Sequence, residues 1–100
     1  MIETETRLDV WLWRARFFKT RSIAAAFIVK RGVRVSRGGE TRKISKPGTR
    51  IAIGDVASFA LRSHIVTVRV VKPGTRRGPA AEAQTLYETL DGDRPGDADA

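Results

Sequence analysis

The sequence predicts an α+β domain, with two short helices packed on a small antiparallel sheet and a C-terminal helix closing the module. Apolar residues recur with the 3.6-residue period of a helix from Leu8 to about Arg31. After Gly32 the period changes to 2, which is typical of strands with one buried face. The helical period returns between residues 80 and 90.

The two N-terminal helices are separated by a short connection. Asp9 is a suitable N-cap for a helix over about 10–18, and Thr20 for a helix that ends at residue 30 or 31. Gly32 is a good C-terminal stop, because glycine adopts the left-handed backbone that often ends a helix. We expect the core-facing residues of both helices to be Leu8, Trp11, Leu12, Ala15, Phe18, Ile23, Ala24, Phe27 and Ile28.

The first helix also carries a second apolar stripe, formed by Val10, Trp13 and Phe17. An exposed stripe of this kind is unfavourable in a monomer, so we expect the C-terminal helix to cover it. Two alternatives stay open. In the first alternative, Trp13 and Phe17 stack on unpaired bases of the RNA. In the second, the stripe docks on another protein.

The middle of the chain is predicted to form the sheet. We expect strands at 33–35, 51–53, 56–61 and 65–71, turns at 36–39, 54–55 and 62–64, and a polar, basic loop at 40–50.

One domain with extensions on both sides is the expected organisation. Residues 1–6 form a flexible lead-in and residues 7–71 the domain itself. Residues 72–90 form a loop and a helix over about 80–90 that pack on it, and residues 91–100 form an acidic, disordered tail.

Charge is the main indicator of the partner. Lys and Arg number 19 against 11 Asp and Glu, a net charge of +8. Residues 7–50 hold 13 Lys or Arg against two acids, a net of +11, whereas residues 79–100 carry a net of −5. Such a concentrated positive field favours a polyanion partner over a merely soluble surface, since solubility is served better by Asp and Glu. RNA is favoured over duplex DNA, because no helix is long enough for major-groove reading.

The candidate RNA contacts are cations of the two helices and the first strand, with one hydroxyl at the start of the second helix. They are Arg7, Arg14, Arg16, Lys19, Thr20, Arg21, Lys30, Arg31 and Arg34. Within this set we expect Arg16 and Arg31 to serve mainly as solvated surface, because their helical positions lie apart from the others.

No catalytic site, metal site or cofactor is predicted. His64 is the only histidine and lies in a predicted turn with no cysteine or nearby carboxylate. The absence of cysteine excludes a disulfide framework, a thiolate metal site and a cysteine nucleophile. No apolar run approaches the about 18 residues of a membrane span, and we expect a cytoplasmic protein.

Several residues at characteristic spacing resemble the S4 RNA-binding domain. They are Arg7-Leu8-Asp9, Leu12, Lys19-Thr20-Arg21, Ala24, Ile28, Gly32-Val33-Arg34-Val35 and Gly54-Asp55. Within this pattern, Trp11-Leu12-Trp13, Ala15-Arg16-Phe17 and the later Arg76-Arg77-Gly78-Pro79-Ala80 and Leu86-Tyr87-Glu88 are similar to the heat-shock protein 15 family.

The resemblance implies an S4-type αL RNA-binding fold. It also implies a stress-related factor that binds rRNA, and tRNA as a further ligand, on large ribosomal subunits stalled with a nascent chain. The chain departs from the family pattern after V-x-V, where members usually have Asn-Gly and this chain has Ser36-Arg37-Gly38-Gly39. Members also continue into a basic tail, whereas residues 91–100 are acidic.

The sequence leaves two functions open. The first is RNA binding by a monomer, and the second is that of an accessory subunit that docks on a larger RNA-processing enzyme or assembly through the Trp13 stripe. Burial of Trp13 distinguishes the two, because a buried stripe offers no docking surface.

Overall fold

A five-stranded antiparallel sheet with two helices on one face forms the body of the protein. A computed structural model describes residues 4–90. In chain order the elements are β1 (Glu5–Arg7), α1 (Leu8–Arg14), α2 (Arg21–Lys30), β2 (Val33–Arg37), β3 (Glu40–Ile44), β4 (Arg50–Ala52), β5 (Val56–Leu61), β6 (His64–Val70), α3 (Ala80–Ala83), a 3₁₀ turn (Gln84–Leu86) and β7 (Tyr87–Thr89). The large sheet has the order β3-β2-β5-β6-β7, and β1 and β4 form a separate pair.

The core lies between the helices and one face of the large sheet. Trp11, Leu12 and Ile28 from the helices are fully buried against sheet residues such as Val33 and Val68. This arrangement confirms the predicted α+β class. One core assignment was wrong, since Ile23 is 49% exposed.

The first helix is shorter than predicted, and its end explains why. Arg16 adopts a left-handed backbone with φ 68, and the Phe17 N–H donates to the Leu12 carbonyl. The Arg16 N–H donates to the Trp13 carbonyl, which completes a Schellman-type stop. Glycine usually occupies that position, so nothing in the sequence indicated the stop.

The helix caps agree with the prediction at two of three places. The Thr20 hydroxyl accepts from the Ile23 N–H at 3.0 Å, and Gly32 ends α2 with φ +81. Asp9 is not the N-cap of α1, because Arg7 holds that position and Asp9 lies in the first turn.

Residues 40–44 form a strand where the sequence predicted a loop. Gly38 and Gly39 both have positive φ, so a two-residue turn joins β2 to β3 with Arg37 opposite Glu40. As the edge of the sheet, β3 is exposed along 40–43 and lacks the alternating pattern on which the prediction rested.

Both ends of the described chain form paired strands that the sequence did not predict. Residues 5 and 6 of the predicted flexible lead-in instead belong to β1, which pairs with β4 and buries Thr6. The predicted helix over 80–90 is only one turn of α-helix, because the chain then turns into β7 and pairs with the open edge of β6. Its inward residues Ala83 and Leu86 are buried. The acidic tail predicted at 91–100 lies outside the described residues.

Candidate nucleic-acid interface

A shallow groove beside α1 collects four arginines from distant parts of the sequence. Arg7, Arg14, Arg21 and Arg50 line it, together with Thr6, Val10, Trp13, Gly74 and Thr75, and its volume is about 530 Å³. We call this the helix groove. It forms because β1 leads directly into α1 and pairs with β4, which places Arg7 opposite Arg50.

Arg7 is held in place by the buried carboxylate of Asp9. Its Nε and Nη2 donate to the two Asp9 carboxylate oxygens at 3.0 Å each, and Asp9 also accepts from the Val10 N–H at 2.7 Å. The hydrogen bond to Asp9, and then its negative charge, raise the pKa of the Arg7 guanidinium. The side chain is still 49% exposed, so Arg7 is both oriented and accessible. Asp9 is thus the partner of Arg7 and not the helix cap that the sequence predicted.

Arg14 and Arg16 bind the segment that follows the sheet. The Arg14 Nη1 donates to the carbonyls of Pro73 and Gly74 at 3.3 and 2.9 Å, and the Arg16 Nε donates to the Gly78 carbonyl at 2.6 Å. These two predicted RNA contacts thus also anchor the C-terminal part of the fold. Nothing in the sequence indicates this second role, because the partners are backbone carbonyls about 60 residues away.

The second apolar stripe is covered by the same segment, though not by a helix. Val10 is buried, and the Phe17 ring lies 4.7 Å from the ring of Tyr87 between centroids. Trp13 is half-buried, with the Arg77 guanidinium 6.0 Å from its ring centroid and the Arg77 Nε donating to its carbonyl at 3.1 Å. The prediction that the C-terminal region covers the stripe was right in location and wrong in the type of element.

The connection between the helices presents its predicted residues to solvent. Lys19, Thr20 and Arg21 are exposed, and Arg21 reaches the helix groove. The Thr20 hydroxyl is occupied as a cap acceptor. Lys30, at the other end of α2, is exposed.

Arg31 and Arg34 belong to a different surface from the helix groove. Together with Lys43, they line a cleft of about 200 Å³ with Gly32, Ser58, Phe59, Ala60 and Ile65. We call this the sheet cleft. Of the nine predicted contacts, three line the helix groove, two line the sheet cleft, and Arg16, Lys19, Thr20 and Lys30 line neither. The sequence predicts a polar, basic loop at 40–50 that includes Lys43 and Arg50, and only the strand pairing of residues 40–52 shows where these two cations lie.

Between residues 4 and 90 there is no group of His, Cys, Asp and Glu side chains that could hold a metal ion. Over the same residues, no helix is long and apolar enough to cross a membrane. His64 is the first residue of β6 and lies opposite Leu61.

Comparison with protein families identifies the class. The model of the S4 domain matches residues 6–56. That range includes α1, α2 and the β2–β3 hairpin, with all seven cations of the two sites. The fold and the basic groove thus define an RNA-binding protein of the S4 type.

Individual relatives identify the family within that class. The chain is 36% identical over 88 residues to a heat shock protein 15 homolog of Haemophilus influenzae, covering 88% of this chain and 63% of the relative. It is 38% identical to heat shock protein 15 of Escherichia coli K12, covering 84% of this chain and 59% of the relative. A structure of Vibrio cholerae heat shock protein 15, described as trimeric, is similar with a TM-score of 0.76 and 32% identity, covering 89% of this chain and 85% of that one. The chain belongs to the heat shock protein 15 family, which confirms the resemblance seen in the sequence.

The match to the curated relatives is partial in length. This chain spans about three-fifths of each, 63% and 59% in the two cases above.

Proposed function

We propose that the protein binds rRNA, and tRNA as a further ligand, on the large ribosomal subunit, and that it acts in rescue or recycling of stalled nascent-chain complexes without catalysing a reaction. The observation that carries the RNA part is the helix groove, in which four arginines converge within an S4 domain. The ribosomal part rests on membership of the heat shock protein 15 family.

The groove is suited to phosphate rather than to base reading. Guanidinium groups bind phosphate oxygens through paired N–H donors, and such contacts position a protein on RNA without reading its sequence. Bracing by Asp9 reduces the side-chain freedom that Arg7 would otherwise lose on binding. The protein would therefore recognise the shape of a structured RNA and the spacing of its phosphates.

Sedimentation of the tagged protein with ribosomal fractions tests the proposal. We expect the protein to migrate with large subunits, and more strongly when peptidyl-tRNA is retained on them. The double variant R7Q/R21Q is expected to remain in the soluble fraction. Migration with small subunits would contradict the ribosomal assignment, and an unchanged R7Q/R21Q would contradict the assignment of the groove.

The docking alternative loses support from the state of the Trp13 stripe. Val10 is buried, Phe17 packs on Tyr87 and Trp13 is half-buried beside Arg77, so the stripe offers little surface to a partner protein. We therefore propose that the protein is a monomer, and that it acts in the cytoplasm. A trimer in solution, as described for the Vibrio cholerae protein, would contradict the monomer. Sedimentation equilibrium over a range of concentrations distinguishes the two states.

A further inference from the structure

The sheet cleft lies on the face of the sheet that the helices leave open. Val33 and Val35 are buried against the helices, so Arg34 between them points to the opposite face. Lys43 lies directly across from Arg34 in the register of β2 and β3. Arg31, at the end of α2, lines the same cleft.

This placement of charge is unfavourable for the isolated fold. Like charges directly opposite one another on neighbouring strands reduce stability. The ion pairs within residues 4–90 involve Arg7, Arg37, Arg50, Arg69 and Arg76, and none includes a cation of the sheet cleft. A bound anion would remove the repulsion that the fold itself leaves uncompensated.

The absence of a side chain at Gly32 also leaves room for Lys43 in the cleft. A Cβ at Gly32 would lie 2.5 Å from the Lys43 Cε, so the lysine stem passes directly over the glycine backbone. Gly32 therefore does two things at once. It ends α2 with φ +81, and it admits Lys43 to the cleft that Arg31 and Arg34 line.

The remaining lining is suited to a nucleotide. Ser58 provides a hydroxyl, which is 3.0 Å from the Thr67 hydroxyl on the next strand. Ile65 is 50% exposed and provides an apolar ledge on which a ribose or base edge can rest. Cations, a hydroxyl and an apolar ledge together fit the phosphate, ribose and base of single-stranded RNA.

We propose that the sheet cleft binds the phosphodiester backbone of a second RNA segment while the helix groove binds the first, so that one molecule bridges two RNA segments. This inference rests on the proposed RNA-binding function and adds a second site to it. The two sites share no lining residue, and Arg34 points away from the side of the sheet on which the helices pack.

A bridging assay with the full chain tests the second site. Biotinylated oligouridylate on beads is mixed with fluorescent oligouridylate and the protein, and the fluorescence retained on the beads is measured. We expect the wild-type chain to retain the fluorescent strand, and R34Q/K43Q to reduce that retention about tenfold while still binding one strand. Loss of two phosphate contacts to a single strand should also flatten the log–log salt slope of total binding by about 1.4.

The matched control removes the same charge elsewhere. R69Q/R76Q also eliminates two cations, but those of Arg69 and Arg76 already pair with Glu88 and Glu82. This control should bridge normally if the cleft, and not net charge, is responsible. An unchanged melting temperature shows that each variant is folded.

Each other outcome has a definite meaning. Bridging that persists in R34Q/K43Q, for instance through an oligomer, overturns the inference, and so does a wild-type chain that binds RNA but does not bridge. Polyglutamate that displaces the second strand as well as unlabelled RNA does would indicate an acidic protein partner and also overturns it. RNA binding absent from both sites would instead overturn the proposed function.

Discussion

The helix groove and the sheet cleft differ in how their cations are held. In the helix groove, Arg7 is fixed by Asp9, and Arg14 by two backbone carbonyls of the C-terminal segment. In the sheet cleft, Arg34 and Lys43 face each other, and neither belongs to an ion pair within residues 4–90. Arg7 and Arg14 therefore contribute to the fold as well as to the site, whereas the cleft cations are placed at a cost to the fold.

The contrast has a practical consequence for mutagenesis. Removing Arg7 or Arg14 is expected to change stability and RNA binding together, because both side chains are held by the fold. Removing a cleft cation is expected to change binding alone, or even to increase stability slightly by relieving repulsion.

The largest expected effect is at the core that both sites share. Trp11 is fully buried and its indole N–H donates to the Lys72 carbonyl at 2.9 Å. Trp11→Ala should lower the free energy of unfolding by about 3–5 kcal/mol and abolish both sites, as measured by urea unfolding followed by circular dichroism. Trp13→Ala is the control and should cost less, because Trp13 is only half-buried. Equal losses in the two variants would show that the groove tryptophan is part of the core.

The second effect concerns Asp55, whose hydrogen bonds to Arg37 connect β2 with the turn between β4 and β5. Its buried carboxylate accepts two hydrogen bonds from Arg37 at 2.8 and 2.7 Å and one from the Ala52 N–H at 2.8 Å. Burial raises the pKa of Asp55, but the hydrogen bonds from Arg37 and Ala52 outweigh it, so the pKa lies below its usual value of 3.8. Asp55→Asn should lower the free energy of unfolding by about 1–3 kcal/mol at neutral pH.

The sign of the pH dependence follows from the lowered pKa. The stability from Asp55 is fully present above the unfolded value of 3.8 and is lost as the pH falls through the lower folded value. Urea unfolding between neutral pH and pH values below 3.8 should therefore show an acid-dependent loss in the wild type that is smaller in Asp55→Asn. Glu82→Gln is the comparison, because its pair with Arg76 is exposed to solvent and should contribute little to stability. An identical acid dependence in wild type and Asp55→Asn would contradict this assignment.

The third effect compares one cation from each site directly. Arg14→Gln should lower the free energy of unfolding by about 1.5 kcal/mol, because its hydrogen bonds to Pro73 and Gly74 hold the C-terminal segment. Lys43→Gln should leave it unchanged or slightly higher. Urea unfolding of the two variants in parallel measures the difference between their free energies of unfolding. A destabilised Lys43→Gln would mean that the cleft cations also hold the fold together.

A smaller effect is expected from the exposed cations between the helices. Lys19→Ala or Arg21→Ala should each flatten the log–log salt slope of RNA binding by about 0.7–0.9 and weaken unrelated RNA sequences alike. Fluorescence anisotropy titrations at several salt concentrations measure this slope. The melting temperature should stay constant, since exposed cations contribute little to stability. The phosphate assignment fails if a protein with both Lys19→Ala and Arg21→Ala stays folded and keeps the affinity and the salt slope of the wild type.

The smallest effect is expected at His64. It lies at the start of β6, outside both sites, so His64→Ala should alter RNA affinity little and stability by no more than about 0.5 kcal/mol. Anisotropy and thermal unfolding of this variant measure both quantities. A large loss of either would assign His64 a role that neither site explains.

Residue periodicity predicted the elements that have one buried and one exposed side. The strand beginning at Val33, the strand Val56–Leu61 and the helix capped by Thr20 all follow this rule, and each was found. Elements without that asymmetry were misjudged. The edge strand β3 is exposed along most of its length, and β7 forms where the sequence pattern predicts a helix.

By itself, the sequence determined the fold class, the S4 pattern and the concentration of positive charge in residues 7–50, because these depend on local period, spacing and composition. Only the tertiary structure decided how that charge is divided. Arg7 meets Arg50 through the pairing of β1 with β4, and Arg34 meets Lys43 through the register of β2 with β3. Which cations lie opposite one another depends on which strands form backbone hydrogen bonds, and the paired residues are not adjacent along the chain. The backbone carbonyls that receive Arg14 and Arg16 are hidden from the sequence for the same reason, since every residue has one and only packing selects which is used.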